Sequence, residues 1–91
     1  MSEWKFKKFI LSASQYKKYT AIIENKDGKI KKINFGDNRY SQYKDTTGLG
    51  EYTYLNNNDP ERRRLYHIRH DKDVRAGQYS AGFFALKFLW G

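Results

Sequence analysis

Asn25-Lys26-Asp27-Gly28 stands between two runs of alternating side chains, and no other stretch constrains the fold as tightly. The tetrapeptide has the composition of a hairpin turn, with Gly28 able to take the positive φ such a turn needs. Upstream, residues 16–24 place Tyr19, Ala21 and Ile23 on one side and Thr20 and Ile22 on the other, the period of a strand. Downstream, residues 30–35 put Ile33 and Phe35 on a shared face, and Lys29, Lys31 and Lys32 make this arm basic. An earlier strand is read where Trp4, Phe6 and Lys8 alternate with Lys5, Lys7 and Phe9, ending at Ser12-Ala13-Ser14. The expectation is an antiparallel sheet of two or three strands.

Residues 37–58 break this pattern. They hold Gly48 and Gly50, a run of three asparagines and the tyrosines Tyr40, Tyr43, Tyr52 and Tyr54. A long ordered loop is expected, with a short helical turn near residues 40–43 and the tyrosines pinning it to the body. A segment this long in a compact domain is either functional or partly regular. Asp59-Pro60 then opens a helix: Asp59 suits the N-cap, and Pro60 suits the first helical position, where its missing N–H costs nothing. That helix is expected to end near residues 70–71, with Leu65 and Ile68 anchoring it to the core. A polar connection with Gly77 as hinge leads to Ser80, the cap of a last helix over 81–90, which is apolar almost all round and reads as the core helix. The fold class is therefore α+β, a small antiparallel sheet packed by two C-terminal helices in one domain spanning 1–91.

Composition sets what that domain can hold. Ninety-one residues bury a modest core, and 38% hydrophobic content is low, but eight Tyr, six Phe and two Trp each bring a large area. Eighteen Lys+Arg against ten Asp+Glu leave a net charge of +8, a field that concentrates anions. Nucleic acid, DNA or RNA, is the commonest partner of such a surface. There is no cysteine, which excludes disulfides and thiolate metal sites and fits a reducing compartment. The apolar run 9–11 is too short for a signal peptide, whose core is roughly 7–15 residues. No span approaches the ~20 apolar residues that cross a membrane, so the chain reads as soluble and intracellular, without a membrane partner.

The chemistry-bearing residues converge on the Asp59 helix. Arg62, Tyr66, Arg69 and His70 fall on one side of it, and Arg63 and Arg64 add charge. Guanidinium groups pair with phosphate oxygens and tyrosines can stack on unpaired bases, so these residues, with Lys29, Lys31 and Lys32, form the candidate nucleic-acid-binding set. The competing reading pairs the arginines with Asp45, Glu51, Asp71 and Asp73 in a solvated shell and packs Tyr66 in the core. His67 and His70 could in principle serve acid–base chemistry on phosphate, but they lie three residues apart on one helix without an evident cleft. The glycines match neither the P-loop nor the dinucleotide fingerprint, and no catalytic set, metal site or cofactor is assigned.

The order Phe35-Gly36, Tyr40, Glu51-Tyr52-Thr53, Asp59-Pro60-Glu61-Arg62-Arg63, Tyr66, Arg69-His70, Ala81-Gly82-Phe83 and Leu89-Trp90 resembles a family of small basic proteins encoded by large nucleocytoplasmic DNA viruses. The likeness covers residues 19–90. This chain departs from the pattern in residues 37–50, which look like an insertion, and in Asn56-Asn57-Asn58, where family members tend to carry a histidine before the Asp-Pro. The resemblance implies a viral protein associated with a genome or a virion, with a capsid or other viral protein as a further partner. It implies no particular activity. Three expectations follow in order: a non-enzymatic nucleic-acid-binding protein in host cytoplasm or nucleus, a minor structural or assembly protein of a virus particle, and a small nuclease.

Overall fold

A computed structural model describes residues 4–76 and 79–91, with the backbone alone at 73–76. Three strands, β1 (Trp4–Leu11), β2 (Lys17–Asn25) and β3 (Ile30–Asp37), form an antiparallel sheet in the order β1-β2-β3. The β2–β3 turn closes as its sequence demands. The Asn25 carbonyl accepts from Gly28 N at 3.0 Å, the Asn25 side chain accepts from Asp27 N and Lys29 N, and Gly28 sits at φ +81°.

The register of β1 differs from simple alternation. Phe6 pairs with Ile23 and Lys8 with Ile22, so Lys7 is an extra residue in a bulge. The bulge returns Phe9, not Lys8, to the face of Trp4 and Phe6. Phe6 and Phe9 then meet at 4.6 Å, and Phe9 reaches Phe35 at 5.5 Å. Aromatic burial outweighs strict pleating here, because leaving Phe9 outside would expose its ring while a lysine faced the core.

The core lies between one face of this sheet and helix α2 (Ala81–Phe88). Tyr19, Ala21, Ile23 and Phe35 pack with Phe84, Ala85 and Leu89. Ser80 caps α2, its side chain accepting from Phe83 N at 3.1 Å. The expected core helix is present, two residues shorter than the apolar run because Leu89 already serves as its C-cap. On the other sheet face, Thr20 and Ile22 are buried although no helix covers them. Ile22 is flanked by its cross-strand partners Lys8 and Lys32, whose aliphatic stems can shield it.

Helix α1 (Pro60–Ala76) packs on α2. Asp59 is its cap, accepting from Glu61 N at 3.0 Å and Arg62 N at 3.3 Å. The helix continues beyond residues 70–71, since no glycine or proline interrupts the sequence before Gly77. The hinge expected at Gly77 lies outside the described residues. Leu65 and Ile68 do not anchor this helix: they are 42% and 63% exposed. Its contact to the body is aromatic instead, Tyr66 lying parallel to Trp90 with ring centroids 4.5 Å apart.

The segment between β3 and α1 is ordered chiefly by polar side chains. Gln42 is fully buried; its Nε2 donates to the Tyr52 carbonyl and to Asn56 Oδ1, each at 2.7 Å, and its backbone pairs with Leu55 and Asn57. Asp45 accepts from the Tyr19 hydroxyl and from Thr47. Lys44 N and Thr46 N donate to the Leu89 and Phe88 carbonyls, satisfying acceptors at the end of α2. The helical turn falls at Thr53–Leu55 rather than at residues 40–43, where the chain instead makes an isolated bridge from Gln42 to Asn56. Among the tyrosines, Tyr52 packs on Tyr19, whereas Tyr40 and Tyr54 are 66% and 75% exposed and pin nothing to the core.

Candidate nucleic-acid interface

Helix spacing carries Arg62, Tyr66, Arg69 and His70 to one side of α1, and that side faces the end of the β2–β3 hairpin remote from its turn. Together with Lys18, Gly36, Asp37, Tyr40 and Trp90 they line a cleft of about 680 Å³. Gly36 shapes its base. At φ +76° it is a conformation glycine adopts without penalty, and a Cβ there would lie 2.8 Å from Leu89 Cδ1 and 3.2 Å from Lys18 Cδ. The missing side chain lets the Lys18 stem and Leu89 close over the strand.

Lys18 is the residue that sequence reasoning missed. Its position in an alternating strand carries no sign of burial, yet it is 2% exposed. Its ammonium donates to the Tyr40 carbonyl at 2.9 Å and to Gln42 Oε1. Burial lowers its pKa to about 8, with the charges of Asp37 and Asp45 opposing the shift. At neutral pH it therefore remains a cation, held in place by two acceptors. Asp37, the carboxylate lining the cleft, is held near pKa 2 by hydrogen bonds from Arg39. Arg39 grips both its oxygens, Nε to Oδ1 at 3.0 Å and Nη2 to Oδ2 at 2.8 Å. That bidentate pair offsets much of the Asp37 charge, although the carboxylate still favours the Lys18 cation.

The remaining arginines have other surroundings. Arg63 lies over the Tyr43 ring at 5.4 Å, and Arg64 pairs with Glu61 at 2.6 Å on the exposed surface. Among the described residues, Arg62 makes a loose contact with Asp59 at 3.8 Å, and Arg69 Nε donates to the Leu65 carbonyl at 3.4 Å. Of the carboxylates expected to pair with the arginines, Asp45 is committed to Tyr19 and Thr47 and the Asp73 side chain lies outside the described residues; Asp59 and Glu61, in the first turn of α1, meet Arg62 and Arg64.

Tyr66 is both a packing residue and a wall of the cleft. Trp90 stacks on it with planes 6° apart and His70 at 4.2 Å with planes 28° apart. Two stacked rings at these separations occupy its faces, so Tyr66 cannot itself serve as a base-stacking platform. Tyr40 also lines the cleft and is 66% exposed, with the Arg39 guanidinium 5.9 Å from its ring. His67 Nε2–H donates to the Trp90 carbonyl and does not line the cleft, whereas His70 does.

The hairpin lysines stand apart from the cleft. Lys31 is five residues from Gly36 along β3, about 17 Å at the usual strand rise. Lys31 pairs with Ile23 on the helix-bearing face and lies 5.2 Å from the Trp4 ring, whereas Lys32 pairs with Ile22 on the opposite face. Lys29 is exposed in the turn. The nine candidate residues thus divide into a cleft group (Arg62, Tyr66, Arg69, His70), two flanking arginines (Arg63, Arg64) and three dispersed lysines.

No helix among the described residues is long and apolar enough to cross a membrane. No protein-family profile, curated protein or solved structure matches this chain.

Proposed function

We propose that this domain is a non-enzymatic nucleic-acid-binding protein that contacts phosphates through the cleft face of α1. The observation carrying the reading is the convergence of Lys18, Arg62, Arg69 and His70 on one concave surface, in a chain of net charge +8. Lysine and arginine there would displace counterions from phosphates, so affinity should fall steeply with salt. The resemblance to proteins of large DNA viruses extends the proposal to a viral protein acting on a genome, in the host cell or in the particle. Exposed Ile68 and Tyr54, away from the cleft, favour a second reading in which the chain contacts a capsid or other viral protein during assembly.

The test is a fluorescence-anisotropy titration with labelled single- and double-stranded oligonucleotides at two salt concentrations. Arg62→Ala with Arg69→Ala should weaken binding and reduce the salt slope by about 1.5–2, the contribution of two phosphate contacts. Unchanged affinity in that double variant would remove this face from consideration. Absence of binding at low salt would leave assembly as the better reading.

A further inference from the structure

We propose that the cleft receives the terminal phosphate monoester of a nucleic-acid strand, with the Lys18 ammonium as its floor and Arg62 and Arg69 as its walls. The inference rests on the nucleic-acid reading above and sharpens it from backbone to strand end. Shape is the first argument. A concavity of about 680 Å³ falls in the range of small-ligand sites, roughly 300–1,000 Å³, and the buried Lys18 is among the residues that line it.

Charge is the second. Lys18, Arg62 and Arg69 are cations; among the described residues the carboxylate lining the cleft, Asp37, is gripped by Arg39, and Asp59 stands 3.8 Å from Arg62. An internal phosphodiester brings a single negative charge. A terminal phosphate brings about −1.5 to −2 at neutral pH and three acceptor oxygens, which suits three converging cations better. Arg62 and Arg69 are seven residues apart on α1, about 10.5 Å along the axis, so their long side chains can close on one group from either side.

Preorganisation is the third. An ammonium has three donors, and the Tyr40 carbonyl and Gln42 Oε1 take two of them. Gln42 is itself locked by Tyr52 and Asn56, so the Lys18 side chain is positioned before any ligand arrives. The same Tyr40 whose carbonyl orients Lys18 presents an exposed ring at the rim, where the terminal base can stack.

The experiment compares one labelled ten-nucleotide thymidine strand ending in 5′-phosphate, 3′-phosphate or hydroxyl groups, by anisotropy with the full chain. The phosphorylated forms should bind at least tenfold more tightly, and free thymidine monophosphate should displace them where thymidine does not. Lys18→Met should erase the end preference, so that phosphorylated and hydroxyl-ended strands bind alike. Should that variant fail to fold, displacement of the wild-type complex by the nucleotide still decides the matter. Equal binding of all ends, with no displacement by nucleotide, overturns the inference and leaves general phosphate contact standing. If no strand binds but nucleotide perturbs the tryptophan fluorescence saturably, and does so still in a Trp4→Phe variant that leaves Trp90 as the sole emitter, the cleft stands as a phosphate-monoester site and the nucleic-acid reading fails. Silence from both overturns the two together, and equal displacement by a phosphoserine peptide overturns the assignment to nucleotides.

Discussion

Gly36 and Lys18 face each other across β2 and β3, and each explains the other's conformation. Gly36→Ala places a methyl against Leu89 in a left-handed backbone region, so it should cost about 1–3 kcal/mol in a denaturant titration. Lys18 and its neighbour Tyr19 give opposite pH dependences. Folding lowers the Lys18 pKa to about 8, so between pH 8 and its ordinary 10.5 the unfolded chain binds more protons and stability rises with pH. Tyr19 is pushed up to about 12 by burial and by its hydrogen bond to Asp45, so above its ordinary 10 the folded chain binds more protons and stability falls. Thermal melts should therefore show a rise from pH 8 that levels near pH 10, and Lys18→Met should remove the rise. At this scale the sequence spoke unevenly. Gly28 and Asp59 act through local backbone chemistry and were readable from their neighbours alone. Lys18 was not, because its burial is produced by Gly36, Gln42 and Leu89, which are distant in the chain.

Among the elements, α1 owes its position to aromatic stacking rather than to its aliphatic residues. Spacing alone placed Arg62, Tyr66, Arg69 and His70 together, since a helix fixes which side chains share a face. It could not tell which face met the body, and Leu65 and Ile68 suggested the wrong stripe because apolar residues are often exposed. Ile68→Ser should accordingly change stability by less than about 0.5 kcal/mol. Trp90→Ala should cost roughly 2–4 kcal/mol, at the lower side of the buried-aromatic range because Trp90 is only partly buried. Chemical denaturation of the two variants separates these expectations by several-fold; similar losses would mean that α1 is held by its aliphatic side after all. The β1 bulge and the turn at Thr53–Leu55 were hidden for a related reason. Both are set by contacts with β2, α2 and Gln42, and neither leaves a periodic signal in its own residues.

Over the whole molecule, two of the places that carry positive charge bear on strand length, the cleft and the β2–β3 hairpin. The cleft gathers four basic side chains, Lys18, Arg62, Arg69 and His70, and the hairpin holds three lysines, with Lys31 about 17 Å from Gly36 along β3. A ligand confined to the cleft cannot feel the hairpin directly, because at physiological salt the screening length is about 8 Å. A strand of five stacked nucleotides spans about 17 Å, at 3.4 Å each, and can reach both places at once. Of the hairpin lysines, Lys31 shares the face of Ile23, the one that α2 covers, whereas Lys32 pairs with Ile22 on the opposite side. Lys31→Gln should thus weaken a ten-nucleotide strand about two- to fivefold, roughly 0.4–1 kcal/mol for one exposed phosphate contact, and leave a dinucleotide unaffected. Lys32→Gln should alter neither. Anisotropy with both lengths checks the pair of variants together. Equal losses for Lys31 and Lys32 at both lengths would mean that the ligand responds to net charge alone, and that the cleft and hairpin do not form one continuous track.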